Sequence, residues 1–188
     1  MTNSKIESDI GYVKDLVAKS DNPISPASIY ILWAVILMVG YSLIDFAPRW
    51  VGFFWMVAGP VGGIFSGFLG YRAGANKGQM DREVGIKHAL HWSGMLVVIV
   101  LALLLGIKGL VHGVVLSQII LLMVALGWWT AGVHFDRNFL WLGGIMGLGF
   151  LGTLFLDRYA WTAMGILLGI TLTVIAIHKG RENAKRTE

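Results

Sequence analysis

Six apolar runs separated by short polar breaks dominate the chain: Ser28–Phe46, Trp50–Tyr71, His88–Ile107, Val114–Val133, Phe139–Leu156 and Trp161–His178. Each holds 18 to 22 residues, close to the ~20 a helix needs to cross ~30 Å of hydrocarbon. None contains Lys, Arg or Glu, and the single Asp, Asp45, lies one residue from an end. Turn-forming and charged residues fill the breaks, at Asp45–Arg49 with Pro48, Lys108–Gly113, His134–Asn138 and Asp157–Ala160. The pattern predicts an all-α integral membrane protein with six transmembrane helices.

Residues 1–27 read differently. They are polar and of mixed charge, whereas a secretory signal opens on a short basic stretch and reaches its apolar core quickly. The first apolar run is therefore expected to be a retained span. Within this segment Ser4 and Glu7 have capping-box spacing, Asn22-Pro23 supplies a stop, and Ile6, Ile10, Val13 and Val17 share one helical face. An N-terminal amphipathic helix over residues 4–20 follows, lying on the inner leaflet or against the cytoplasmic loops, or else docking a protein partner through residues 1–22 or plugging a cytoplasmic opening. The chain thus divides into a cytoplasmic N-terminal segment (1–27), a transmembrane domain (28–178) and a basic tail (179–188).

Composition agrees and excludes several classes. Hydrophobic residues make up 56% of the 188 and charged residues 14%, against about a quarter charged in soluble domains. Mean hydropathy is +0.70. There are no cysteines, which removes disulfides, thiolate metal sites and a Cys nucleophile. The isoelectric point near 9.5 does not mark a nucleic-acid partner, because the basic residues sit in short loops beside apolar runs.

Those basic residues instead set an orientation. Lys5, Lys14, Lys19, Arg72, Lys77, Arg82, Lys87, Arg137, Lys179, Arg181, Lys185 and Arg186 fall on one side, twelve in all, against only Arg49, Lys108 and Arg158 on the other. The positive-inside rule makes the richer side cytoplasmic. Six spans then place both termini there, in a cytoplasmic (inner or plasma) membrane. Trp50, Tyr159 and Trp161 mark the outer interface, and Tyr30, Tyr71, Trp92 and Trp141 the inner one.

Three collinear matches relate the two halves. Val39-Gly40-Tyr41 pairs with Leu126-Gly127-Trp128, Phe53-Phe54-Trp55 with Phe139-Leu140-Trp141 (aligning Gly63 with Gly149), and Trp92-Ser93-Gly94-Met95 with Trp161-Thr162-Ala163-Met164. Two three-helix repeats with an odd number of spans each would enter the membrane from opposite sides, an inverted arrangement found in transporters. Spans two and five are expected to meet near the axis relating them. Glycines recur every four residues at 59, 63 and 67, at 143 and 147, and at 165 and 169, giving small-residue faces through which helices or whole copies can pack.

Candidate chemistry is sparse. Gly59-Pro60 at the centre of span two predicts a kink, because proline lacks the amide hydrogen of the ladder. With Gly63 and Gly149 it forms the candidate solute pathway. The absence of ionisable side chains inside the spans argues against a proton-driven pump and points to a small, uncharged or weakly polar solute. Four histidines collect on the cytoplasmic side. His88 and His91 share a helix face, and His134 lies two residues before Asp136. Imidazoles with a carboxylate suit a divalent metal, and one histidine of span three, His88 or His91, with His134 suits a haem held from two helices. Asp136-Arg137 and Asp157-Arg158 are expected to form local ion pairs. No nucleophile–base pair, phosphate loop or paired carboxylate marks an enzyme. Four readings stand: a passive channel or carrier, an accessory or regulatory membrane subunit, a metal- or haem-bearing subunit, and an intramembrane enzyme.

Overall fold

A computed structural model describes residues 10–12, 26–76, 82–156 and 158–185. Six helices organise them: α1 (Ala27–Phe46), α2 (Pro48–Asn76), α3 (Arg82–Ile107), α4 (Gly113–His134), α5 (Asn138–Phe155) and α6 (Ala160–Lys185). All six are long and apolar enough to cross a membrane. In hydrocarbon no water satisfies backbone N–H and C=O groups, so an apolar run must close its hydrogen bonds within itself, and the helix does so. Of the expected N-terminal amphipathic helix, only Ile10–Tyr12 is described, in helical conformation. The rest of that segment and Asp157 lie outside the described residues.

The helices pack in the order α2–α1–α6–α5–α4–α3, with the most extensive interfaces between α1 and α6 and between α4 and α5. Glycine permits both close approaches. A Cβ at Gly165 of α6 would lie 3.0 Å from Tyr41 Cβ and 3.3 Å from the carbonyl oxygens of Leu37 and Met38 on α1. One at Gly143 of α5 would meet Trp129 N at 2.7 Å and Ala125 O at 2.8 Å on α4. Without a solvent that drives apolar faces together, dispersion across such close contacts is the main attraction. The core is built on these four helices around Leu121, Leu142, Met146, Leu168 and Leu172, all essentially inaccessible.

Helices α2 and α3 stand at the two edges. Among the described residues each has one neighbour, α1 and α4 respectively. Only 6% of the apolar window of either is buried, against 50% for α6. The expected meeting of spans two and five is not seen: among the described residues α2 and α5 do not touch, and α5 packs on two helices where α2 packs on one. The glycines account for the difference. Gly143 of α5 is seated on the α4 backbone, whereas at Gly59, Gly63 and Gly67 of α2 a Cβ would meet no atom within 4 Å. Gly62 is the α2 glycine that faces α1, against Trp33 and Ile36.

Polar links reinforce the packing. The Asp45 carboxylate at the end of α1 accepts from the Thr162 amide at 2.7 Å and its hydroxyl at 2.6 Å, capping α6 where unpaired N–H groups and the helix dipole favour negative charge. Trp33 Nε1 donates to Ser66 Oγ at 2.9 Å between α1 and α2, and Gln118 Nε2 to Thr153 Oγ1 at 3.1 Å between α4 and α5. Of the aromatic residues expected at the interfaces, Trp50, Tyr71, Trp141 and Tyr159 are exposed, but Tyr30 and Trp161 turn inward and are buried.

Candidate functional site

Two places carry the residues singled out from the sequence. The first is the middle of α2. The helix runs through Pro60 without interruption from Pro48 to Asn76, so Gly59-Pro60 does not break it. Gly63 and Pro60 are exposed on an edge helix, and Gly149 lies elsewhere, on α5 against Met164. The four residues therefore do not line one pathway. Two open, apolar grooves lie beside α1 and α2 at the end of the bundle opposite the basic one. Hydroxyls in the spans are turned onto their own helices, with Ser42, Ser66, Thr130, Thr171 and Thr173 donating to carbonyls three or four residues back.

The second place is the basic end of the bundle, where α1, α3, α4, α5 and α6 converge. Asp136 sits in the short turn between α4 and α5. Its Oδ2 accepts from Tyr30 Oη of α1 at 2.9 Å and pairs with Lys179 Nζ of α6 at 3.2 Å. Its Oδ1 accepts from the Asn138 amide at 3.0 Å and Asn138 Nδ2 at 2.9 Å. Burial alone would raise this carboxyl, but the Asn138 amide, the Lys179 ammonium and the Tyr30 hydroxyl outweigh it and hold the group below the ordinary carboxylate range. The expected local partner, Arg137, is not the one used. A cation 43 positions further on, Lys179, takes its place, and the two side chains are only 14% and 12% exposed.

Beside this clasp runs a ladder of rings. His88 stacks on Phe135 at 3.9 Å, Phe135 meets His91 edge-on, and Trp92, Trp128, Phe139 and Tyr30 continue the series at centroid separations of 5.0 to 6.1 Å. His91 Nε2 lies 3.0 Å from the Gly127 carbonyl oxygen. A carbonyl only accepts, so Nε2 carries the proton and is not a ligand atom in this arrangement. His134 is exposed on α4 and Asp136 is already satisfied. Among the described residues no group of three His, Asp or Glu side chains is placed to hold a metal ion. His88, His91, His134 and Asp136 are thus not gathered into the divalent-metal site that their spacing suggested. The histidines serve as aromatic and hydrogen-bonding pieces of the α3–α4 contact.

Neither the clasp nor the ladder was identified from the sequence. Tyr30 lies in α1 and Lys179 in α6, far from the α4–α5 turn that holds Asp136, and no local spacing rule joins residues more than 100 positions apart, as Tyr30 and Asp136 are. The available signal was an acidic residue beside a span end with no complementary charge at helical spacing. No protein-family model matches the chain, and no curated protein or solved structure matches it either.

Proposed function

We propose that this multi-pass membrane protein is an accessory subunit that acts by lateral helix assembly with a partner in the bilayer. The observation that carries this reading is the contrast between a close-packed core and an edge helix whose glycine row at 59, 63 and 67 faces open space. Glycine in lipid contributes little contact area by itself, but it lets another backbone come near. Further support comes from α2 having a single neighbour among the described residues and from span hydroxyls that donate within their own helices. In the cell the protein lies in a cytoplasmic membrane with the basic end inside, as the twelve-to-three division of Lys and Arg favours.

The test is purification of the full chain from its native membrane in mild detergent. A stoichiometric membrane partner is expected, and Gly63→Leu is expected to release it while leaving the chain folded. A partner retained by Gly63→Leu would sink the α2 assignment. The passive channel or carrier takes its support from Gly59-Pro60 at mid-span. Solute flux through the purified chain in proteoliposomes would overturn the accessory reading in its favour.

A further inference from the structure

Two apolar grooves open toward lipid on either flank of Leu43, at the end of the bundle away from the basic face. One, of about 250 Å³, is lined by Met38, Val39, Ser42, Leu43 and Phe46. The other, of about 270 Å³, lies between α1 and α2 and is lined by Leu43, Trp50, Phe53, Phe54, Val57 and Ala58. The Ser42 hydroxyl donates to the Met38 carbonyl at 2.7 Å, so the first groove offers no free donor. Arg49, in the first turn of α2, stands beside the second groove, its guanidinium 5.9 Å from the ring centroid of Trp50, which lines that groove. No carboxylate among the described residues forms an ion pair with Arg49, and the acid four positions before it, Asp45, is engaged by Thr162.

We propose that this is a binding site for one diacyl phospholipid, with an acyl chain in each groove astride Leu43 and the phosphate against Arg49. Depth argues for lipid over a partner helix. Met38 to Phe46 covers ~12 Å along the axis of α1 at ~1.5 Å per residue, most of the ~15 Å thickness of one leaflet. A transmembrane helix needs a groove across the whole bilayer, whereas a lipid needs one leaflet with its charge at the top. The planar guanidinium suits two phosphate oxygens at once, and Trp50 lies at the level where indoles meet headgroups. Acyl chains are as apolar as the bulk lipid they leave. Selectivity therefore comes from the ion pair and from the shape of a cleft with two arms.

Native mass spectrometry of the full chain in detergent, with added phosphatidylglycerol or phosphatidylcholine, tests this site. One phospholipid per chain is expected to survive delipidation, with phosphatidylglycerol preferred. Arg49→Gln should lower retention at least tenfold. Ser42→Trp, which fills one arm without changing charge, should do the same. Lys108→Gln and Arg158→Gln, the other basic residues at that end, should leave it unchanged, as should Gly63→Leu, which separates this site from partner assembly. Equal retention by Arg49→Gln, or an equal loss from all three basic substitutions, would overturn the proposal. So would displacement of the lipid by glycerol phosphate, which has the head but no chains.

Discussion

Helices α2 and α5 look alike on paper and behave differently in the fold. Both are rich in glycine at four-residue spacing, and the sequence match aligns them. In α5, Gly143 rests on the α4 backbone and Gly149 takes the Met164 side chain from α6, so the helix is held on both sides. In α2 the row at 59, 63 and 67 touches nothing, and a single glycine, Gly62, meets α1. Small residues at helical spacing therefore allow an interface without creating one. The neighbouring helix must also present a surface that fills the notch, and α4 does so while no helix among the described residues does so for α2.

Loss of the notch in α5 is expected to have the largest effect. Gly143→Leu must push α4 from α5 against backbone atoms, at a cost of ~3 kcal/mol, the upper end for overpacking. Thermal unfolding in detergent should show it as a large drop in Tm. Next in size is Asp136→Ala, which removes the carboxylate that Lys179 and Tyr30 share and should cost ~2 kcal/mol. A double-mutant cycle with Lys179→Met isolates the pair, and full additivity would show that no coupling exists. This carboxyl also sets a pH dependence. Its folded value lies below the unfolded one, so the stabilisation is complete above the unfolded carboxylate value and is lost as pH falls through the folded value. The gap in Tm between the parent and Asp136→Asn should accordingly stay constant on acidification to pH ~5 and close only in stronger acid. A gap closing near neutrality would contradict the clasp.

Gln118→Leu, which removes the α4–α5 hydrogen bond to Thr153, should cost only ~0.6 kcal/mol, the usual value between membrane helices. The smallest effect on folding belongs to Gly63→Leu, within ~0.5 kcal/mol of zero because the added side chain enters lipid. If Gly63→Leu lowered Tm as much as Gly143→Leu, the distinction between core and edge would fail.

The six spans were legible because mean apolarity over ~20 residues reports membrane depth directly. Helix ends were less so: α2 continues to Asn76, α3 begins at Arg82 and α6 reaches Lys185, each past the apolar run that predicted it. Once a helix leaves hydrocarbon, its backbone remains best satisfied by further turns, and polarity no longer marks the stop. The packing order could not be read at all. In a soluble helix an apolar stripe identifies the buried face, but here lipid-facing residues such as Leu101 and Ile166 are as apolar as buried Leu168. The histidine spacing misled for a related reason. Spacing within one helix placed His88 and His91 on a shared face correctly, yet what lies opposite that face is Phe135 and the Gly127 carbonyl rather than another ligand.

The pairing of α1 with α6 has a consequence for the order of events during synthesis. Asp45 finds its partner only at Thr162, 117 residues later. At about 5–20 residues per second, the ribosome needs on the order of ten seconds to supply it. Through that interval α1 has α2 and, through Tyr30, the α4–α5 turn at Asp136 for neighbours, while the face that α6 will cover waits in lipid or is held by another membrane factor. The bundle is therefore completed from its last helix backward, and a truncation within α6 should leave the first helix as the least protected part of the chain.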